Sequence, residues 1–170
     1  MPSPWADPGY LKLIWVQSPN WNHRPAGAVV DTVVVHSTVI PTLQATTEAF
    51  YRESSQVSAH FTIGRDGSIV QNVSTFERGW HAGVSVDAFG RGNVNDFSIG
   101  IELVNLNDGA DPYPLAQTEA LGSLISALRR RFPLRYVTSH AMIARPLGRK
   151  SDPKAFPWDR LDRVGLALMP

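Results

Sequence analysis

The run Asp31-Thr32-Val33-Val34-Val35-His36-Ser37 constrains the fold more than any other stretch of the chain. It is β-branched and nearly all apolar, so it suits a pleated sheet and has no polar face to give to water. Residues 31–37 therefore read as a buried central strand that other elements must cover. Residues 98–104 add a second strand, with Ile99, Ile101 and Leu103 on one face and Gly100 and Glu102 on the other. Residues 60–63 and 68–71 flank Gly64-Arg65-Asp66-Gly67 and read as a hairpin. Residues 135–139 form a further strand, and residues 11–17 an edge strand. Leu121, Leu124, Ile125, Leu128 and Phe132 recur at helical spacing, which predicts an amphipathic helix over 115–131, opened by Pro114 and closed before Pro133. Shorter helices are expected over 41–53 and 158–168. Strands interleaved with helices predict a single α/β domain, a mixed central sheet flanked by helices.

The bulk properties narrow the chemistry. A chain of 170 residues suits one domain over 1–170, with residues 1–10, rich in Pro, Gly and Asp, as a loose arm. Hydrophobic residues make up 43% and charged residues 18%, which is a globular balance. A net charge of +1 and a pI near 8.2 argue against a nucleic-acid partner. With no cysteine, disulfides, thiolate metal sites and cysteine nucleophiles are excluded. Any metal must be held by imidazole and carboxylate. The N-terminus has no basic segment followed by a long apolar one, so no secretory signal is expected and the cytoplasm is the expected location. Val29-Val30 and Val33-Val34-Val35 fall far short of the roughly 20 apolar residues that span a bilayer.

Two of the five histidines share a setting: His36 ends the strand 31–37, and His140 ends the strand 135–139. Ligand sites in open α/β sheets gather at strand ends. Asp152 follows in Gly148-Arg149-Lys150-Ser151-Asp152-Pro153. Two imidazoles and one carboxylate make a three-ligand zinc site with a fourth position open, the form a hydrolytic zinc takes. Spacing alone leaves open that each histidine is merely a hydrogen-bonded strand-end residue. Glu102 projects opposite three aliphatic residues, as a general base would, or as a carboxylate facing solvent or paired with arginine would. Lys150 lies two positions before Asp152, so in extended chain it shares that face, where it could hold an oxyanion or be a solvated loop lysine. Trp80-His81-Ala82-Gly83-Val84 reads either as a platform for a sugar ring or as local packing. The loop 87–95, which carries Asn93, reads as a rim. His60 reads as a core residue or as one standing behind the metal ligands.

These segments together carry a resemblance. His36-Ser37, Ser58-Ala59-His60-Phe61, Arg65-Asp66-Gly67, Trp80-His81-Ala82-Gly83-Val84-Ser85, Asn95-Asp96-Phe97-Ser98-Ile99-Gly100-Ile101-Glu102, Ser139-His140 and Arg149-Lys150-Ser151-Asp152-Pro153 resemble, in order, the N-acetylmuramoyl-L-alanine amidase type 2 family. That family includes the peptidoglycan recognition proteins and phage amidases. Ser18-Pro19-Asn20 and Arg24-Pro25 are similar to its N-terminal segment. The resemblance covers about residues 11–161. It implies one zinc ion on His36, His140 and Asp152, Glu102 as catalytic acid and base, and Lys150 as oxyanion stabiliser. It implies a substrate that is peptidoglycan or a muropeptide, cut between N-acetylmuramic acid, or its 1,6-anhydro form, and L-alanine; the sequence does not set the oligomeric state, and a monomer is the favoured expectation. Trp80, His81 and Asn93 are the expected substrate contacts. Recycling amidases of anhydro-muramyl ligands carry arginine at the position of Asn93, so acceptance of intact muramic acid is also expected. Murein recycling, envelope remodelling and endolysin-like lysis are the roles such an enzyme serves. The alternative is a recognition module of this fold that binds peptidoglycan without cutting it.

Overall fold

The computed structural model describes residues 13–169. The expected arm over 1–10 and the start of the first expected strand lie outside these residues. At the centre is β3 (Thr32–Ser37), every residue of which is buried. It pairs in parallel with β7 (Ser98–Leu103) on one side and β8 (Tyr136–Ser139) on the other. Beyond β7 lies β4 (Phe61–Ile63), also parallel, which turns back antiparallel into β5 (Ile69–Gln71), the expected hairpin. β1 (Leu13–Trp15) and β9 (Ala167–Leu168) form the two edges, each parallel to its neighbour. The sheet is thus mixed, in the order β1-β5-β4-β7-β3-β8-β9. A separate antiparallel ribbon joins β2 (Trp21–His23) to β6 (Glu77–Gly79).

Side-chain alternation divides the sheet into two unlike faces. Val33, Val35, Phe61, Ile63, Ile99, Ile101 and Leu103 pack under α2 (Leu115–Arg129) through Leu121, Leu124, Ile125 and Leu128. This is the amphipathic helix read from the spacing, ending two residues sooner. The opposite face holds only a small apolar patch of Val34, Ala82, Val94 and Ile143. The rest of it carries His36, His60, Thr62, Thr138 and Glu102. α1 (Leu43–Tyr51) starts where the Thr42 hydroxyl accepts from the Ala45 amide, inside the expected 41–53.

The expected helix over 158–168 is corrected. The chain forms a 3-10 helix over Trp158–Val164, turns at Gly165 with φ of 64°, and enters β9. A left-handed residue suits glycine and ends the helix, and the following amides gain sheet partners at Arg135 and Val137. Among the described residues, no helix is long and apolar enough to cross a membrane.

Candidate active site and metal centre

Strand register assembles the site. In β3 and β7 the aligned pairs include His36 with Glu102, and in β3 and β8 they run to Val35 with Ser139. The residue after Ser139 is His140, so Glu102, His36 and His140 stand side by side at the ends of three adjacent parallel strands. Neighbouring strands lie roughly 4.8 Å apart, which is close enough for their side chains to share one ligand. His140 also opens α3 (His140–Ile143), capped by the Ser139 hydroxyl accepting from the Met142 amide. That turn lifts the imidazole off the sheet and towards the incoming loop.

The loop delivers Asp152. Its Oδ2 lies 3.4 Å from His36 Nδ1 and 3.2 Å from His140 Nδ1, and all three residues are buried. The three donor atoms lie within 4.8 Å of one another. Zinc–nitrogen bonds of 2.0–2.1 Å in a tetrahedron place neighbouring ligand atoms about 3.3 Å apart, which the two Asp152 distances match, so the chemistry and spacing of this donor set suit zinc. The ring nitrogens facing away are engaged too. His140 Nε2 is 3.3 Å from the Ala82 carbonyl, and His36 Nε2 is 3.1 Å from His81 Nδ1. Burial, reinforced by His140, lowers the His36 pKa to about 4, so the ring is neutral at neutral pH, as a metal ligand must be. Burial pushes the Asp152 carboxyl up, but the adjoining His140 and His36 imidazoles outweigh that and hold it well below the usual carboxylate range.

The Asp152 loop is tied down on both sides. The Ala141 amide donates to the Asp152 carbonyl at 2.9 Å. Asn107 donates to Ser151 Oγ at 3.1 Å and accepts from the Lys154 amide at 2.7 Å. Tyr113 bridges the halves of the site, with its hydroxyl 2.6 Å from Ser37 Oγ and donating to the Lys154 carbonyl at 3.2 Å. Neither Asn107 nor Tyr113 belongs to a segment that sequence spacing had singled out.

Beside the donors opens a cleft of about 230 Å³, lined by Glu102, His140, Lys150, Asp152, Trp80 and apolar residues such as Phe50. Glu102 stands at its floor, and its Oε2 is buried with no hydrogen-bond partner among the described residues. Burial, then the Asp152 carboxylate, raise the Glu102 pKa to about 8 against the opposing pull of Lys150. A carboxylate so placed is a stronger base than usual, matched to proton transfer near neutral pH. Lys150 is exposed on the cleft wall, on the same side as Asp152.

The expected substrate contacts fare unequally. Trp80 lines the cleft, its indole N–H donating to Asn22 Oδ1 at 2.6 Å. His81 also borders the cleft, though it is buried beside His36 and both its ring nitrogens are engaged inside the protein. Asn93 is exposed, in a left-handed turn with φ of 53°, and is not among the residues lining the cleft. His60 lies in the core as read, its Nδ1 accepting from the Gly100 amide at 3.0 Å. Sequence reasoning overlooked Asn95, whose Oδ1 accepts from the His81 and Ala82 amides at 3.1 and 2.8 Å. Its signal was its place in the Asn95–Glu102 stretch.

The sequence matches the model of the N-acetylmuramoyl-L-alanine amidase family over residues 26–155. The chain belongs to this family. Family membership makes it a hydrolase of the amide bond between N-acetylmuramic acid and L-alanine. A similar relative is the 1,6-anhydro-N-acetylmuramyl-L-alanine amidase AmpD of Escherichia coli, 38% identical over 167 residues, spanning 85% of this chain and 87% of the relative. A solved AmpD structure superposes with a TM-score of 0.71 at 33% identity, over 90% of this chain and 93% of that one. The amidase AmiD from E. coli, bound to anhydro-N-acetylmuramic acid-L-Ala-D-gamma-Glu-L-Lys, superposes with a TM-score of 0.73 at 29% identity, over 85% of this chain and 62% of AmiD. The fold of this amidase, a single domain with a mixed central sheet and flanking helices, is theirs.

Proposed function

We propose that this amidase works with one zinc ion on His36, His140 and Asp152, and that its first substrate is the 1,6-anhydro form of the muropeptide. The observation that carries the reading is the convergence of three zinc-type donors beside Glu102 in one cleft. When bound there, zinc supplies Lewis acidity, polarising the scissile carbonyl and making water easier to deprotonate. Glu102, with its unpartnered Oε2, takes the proton of the attacking water and hands it to the departing amine of L-alanine. Lys150 faces the same space and offsets negative charge on the carbonyl oxygen as the amide carbon becomes tetrahedral. Trp80 and Phe50 form an apolar wall that limits water around the reacting bond.

The preference for the anhydro form is supported by the anhydro-muramyl specificity of the AmpD relatives and by the ligand in the AmiD complex. Asn93 is not among the residues lining the cleft, and the intact muropeptide is the second substrate to compare. The test is mass spectrometry of zinc-loaded protein incubated with anhydro-muropeptides, intact muropeptides and the free stem peptide. Loss of the stem peptide is expected from the anhydro substrate first, and no cleavage of the free peptide. Unchanged muropeptides at full zinc occupancy would overturn the assignment.

A further inference from the structure

The Trp80-His81-Ala82 segment does not simply border the cleft. It passes behind both histidine donors. Ser98 has one hydroxyl hydrogen, and it goes to the Val94 carbonyl at 2.6 Å. The Ser98 oxygen therefore faces His81 Nε2, 3.2 Å away, as an acceptor, and His81 Nε2 must carry a hydrogen. Among the described residues no carboxylate is a hydrogen-bond partner of His81, so the buried ring is neutral with one hydrogen only. Its Nδ1 then has a lone pair, which faces His36 Nε2 at 3.1 Å. His36 Nε2 must donate, and the lone pair of His36 is left on Nδ1, the atom that faces Asp152 and His140. The same segment handles the second donor: the Ala82 carbonyl takes the hydrogen on His140 Nε2 and leaves Nδ1 free. Asn95 fixes the segment by accepting the His81 and Ala82 amides, and the Ser58 hydroxyl accepts the Trp80 amide.

We infer that His81 is a positioning residue of the metal centre, which accepts the His36 Nε2 hydrogen and so selects the one tautomer of His36 that can bind a cation. The inference rests on the zinc reading above. Partners of this kind fix ring orientation and tautomer, and removing them weakens metal binding about ten- to a hundredfold. His81 owes its placement to glycine: a Cβ on Gly100 would sit 2.4 Å from His81 Cγ, so the ring lies directly over that bare backbone.

The experiment measures zinc affinity by chelator competition in wild type, His81→Phe, His81→Gln and Ser98→Ala, with zinc alone as the probe. A long-range 15N–1H spectrum of the metal-free proteins reads the His36 tautomer. The expected result is a ten- to hundredfold weaker affinity for His81→Phe, with His36 no longer held as the Nε2–H form. His81→Gln, whose amide can both accept and donate, should recover part of the loss. Ser98→Ala leaves the His81 ring in place but removes its anchor, so it should show a smaller loss, and it decides the matter if His81→Phe does not fold. Wild-type affinity and an unchanged His36 tautomer in the folded variants would overturn the inference while leaving the zinc site standing. Failure of the wild-type protein to bind zinc would overturn the zinc reading itself.

Discussion

Glu102 is a residue whose setting is poor for stability and good for chemistry. One carboxylate oxygen is buried without a partner, a state that costs a folded protein about 1–3 kcal/mol. Glu102→Gln keeps the shape and removes the base. It is expected to bind zinc as wild type does and to lose turnover by at least about a hundredfold, measured with saturating zinc on anhydro-muropeptide. Gly100, two positions before it on the same face, shows the opposite economy, since any side chain there collides with His81. Gly100→Ala should lose about 1–3 kcal/mol in chemical denaturation, the usual range for overpacking, and should weaken zinc binding with it. Both positions were legible in the alternation of residues 98–104, which set Gly100 and Glu102 apart from the aliphatic face. The use of Gly100 was not, because the ring above it arrives from a loop distant in sequence. The role of His81 was hidden for the same reason. An imidazole beside a tryptophan suits a sugar platform as well as it suits a ligand's partner, and only the long-range contact with His36 separates them.

Among the elements, those with a strong period were readable. α2 shows its apolar positions at helical spacing, and β3 declares its burial by composition. Leu124, fully buried under the sheet, tests that packing. Leu124→Ala should lose about 3 kcal/mol in urea denaturation while the folded protein keeps its zinc affinity, because the helix covers the face that carries no donors. The end of the chain is not one helix over 158–168, although Leu161, Val164 and Leu168 fit a helical stripe. Gly165 and the two unclaimed backbone sites on the edge of β8 decided otherwise. Periodicity describes side chains and takes no account of an open sheet edge, so short terminal strands escape it. The β2–β6 ribbon escaped because its three-residue strands lie more than 50 residues apart, with no turn between them to mark a hairpin as Gly64–Gly67 marks β4–β5.

Across the whole molecule, the two faces of the sheet divide the labour. One holds the apolar packing, and the other buries a row of imidazoles. His60, at the end of that row, is held neutral chiefly by burial and then by Arg24, with its pKa lowered to about 3. An unfolded histidine takes a proton near pH 6.5, which folded His60 refuses, so stability must fall as pH drops below 6.5. Between pH 7 and pH 5 this one residue should remove about 2 kcal/mol, and His60→Gln should flatten that part of the pH profile in denaturant titrations. Metal binding acts on the same balance in the other direction. Zinc at a hundredfold excess over its dissociation constant should stabilise the protein by about 2.7 kcal/mol, and chelation should lower the melting temperature accordingly.

The three donors are not anchored alike. His36 and His140 rise from paired strands, whereas Asp152 comes in on a loop tied by Asn107 and Tyr113. A bound cation would therefore act as a latch between scaffold and loop. The peptide bonds after Arg149, Lys150 and Lys154, all exposed residues on that loop, are natural trypsin targets. Their rate of cutting becomes a gauge of occupancy: nicking should be slow when the latch is shut and quick when a chelator opens it.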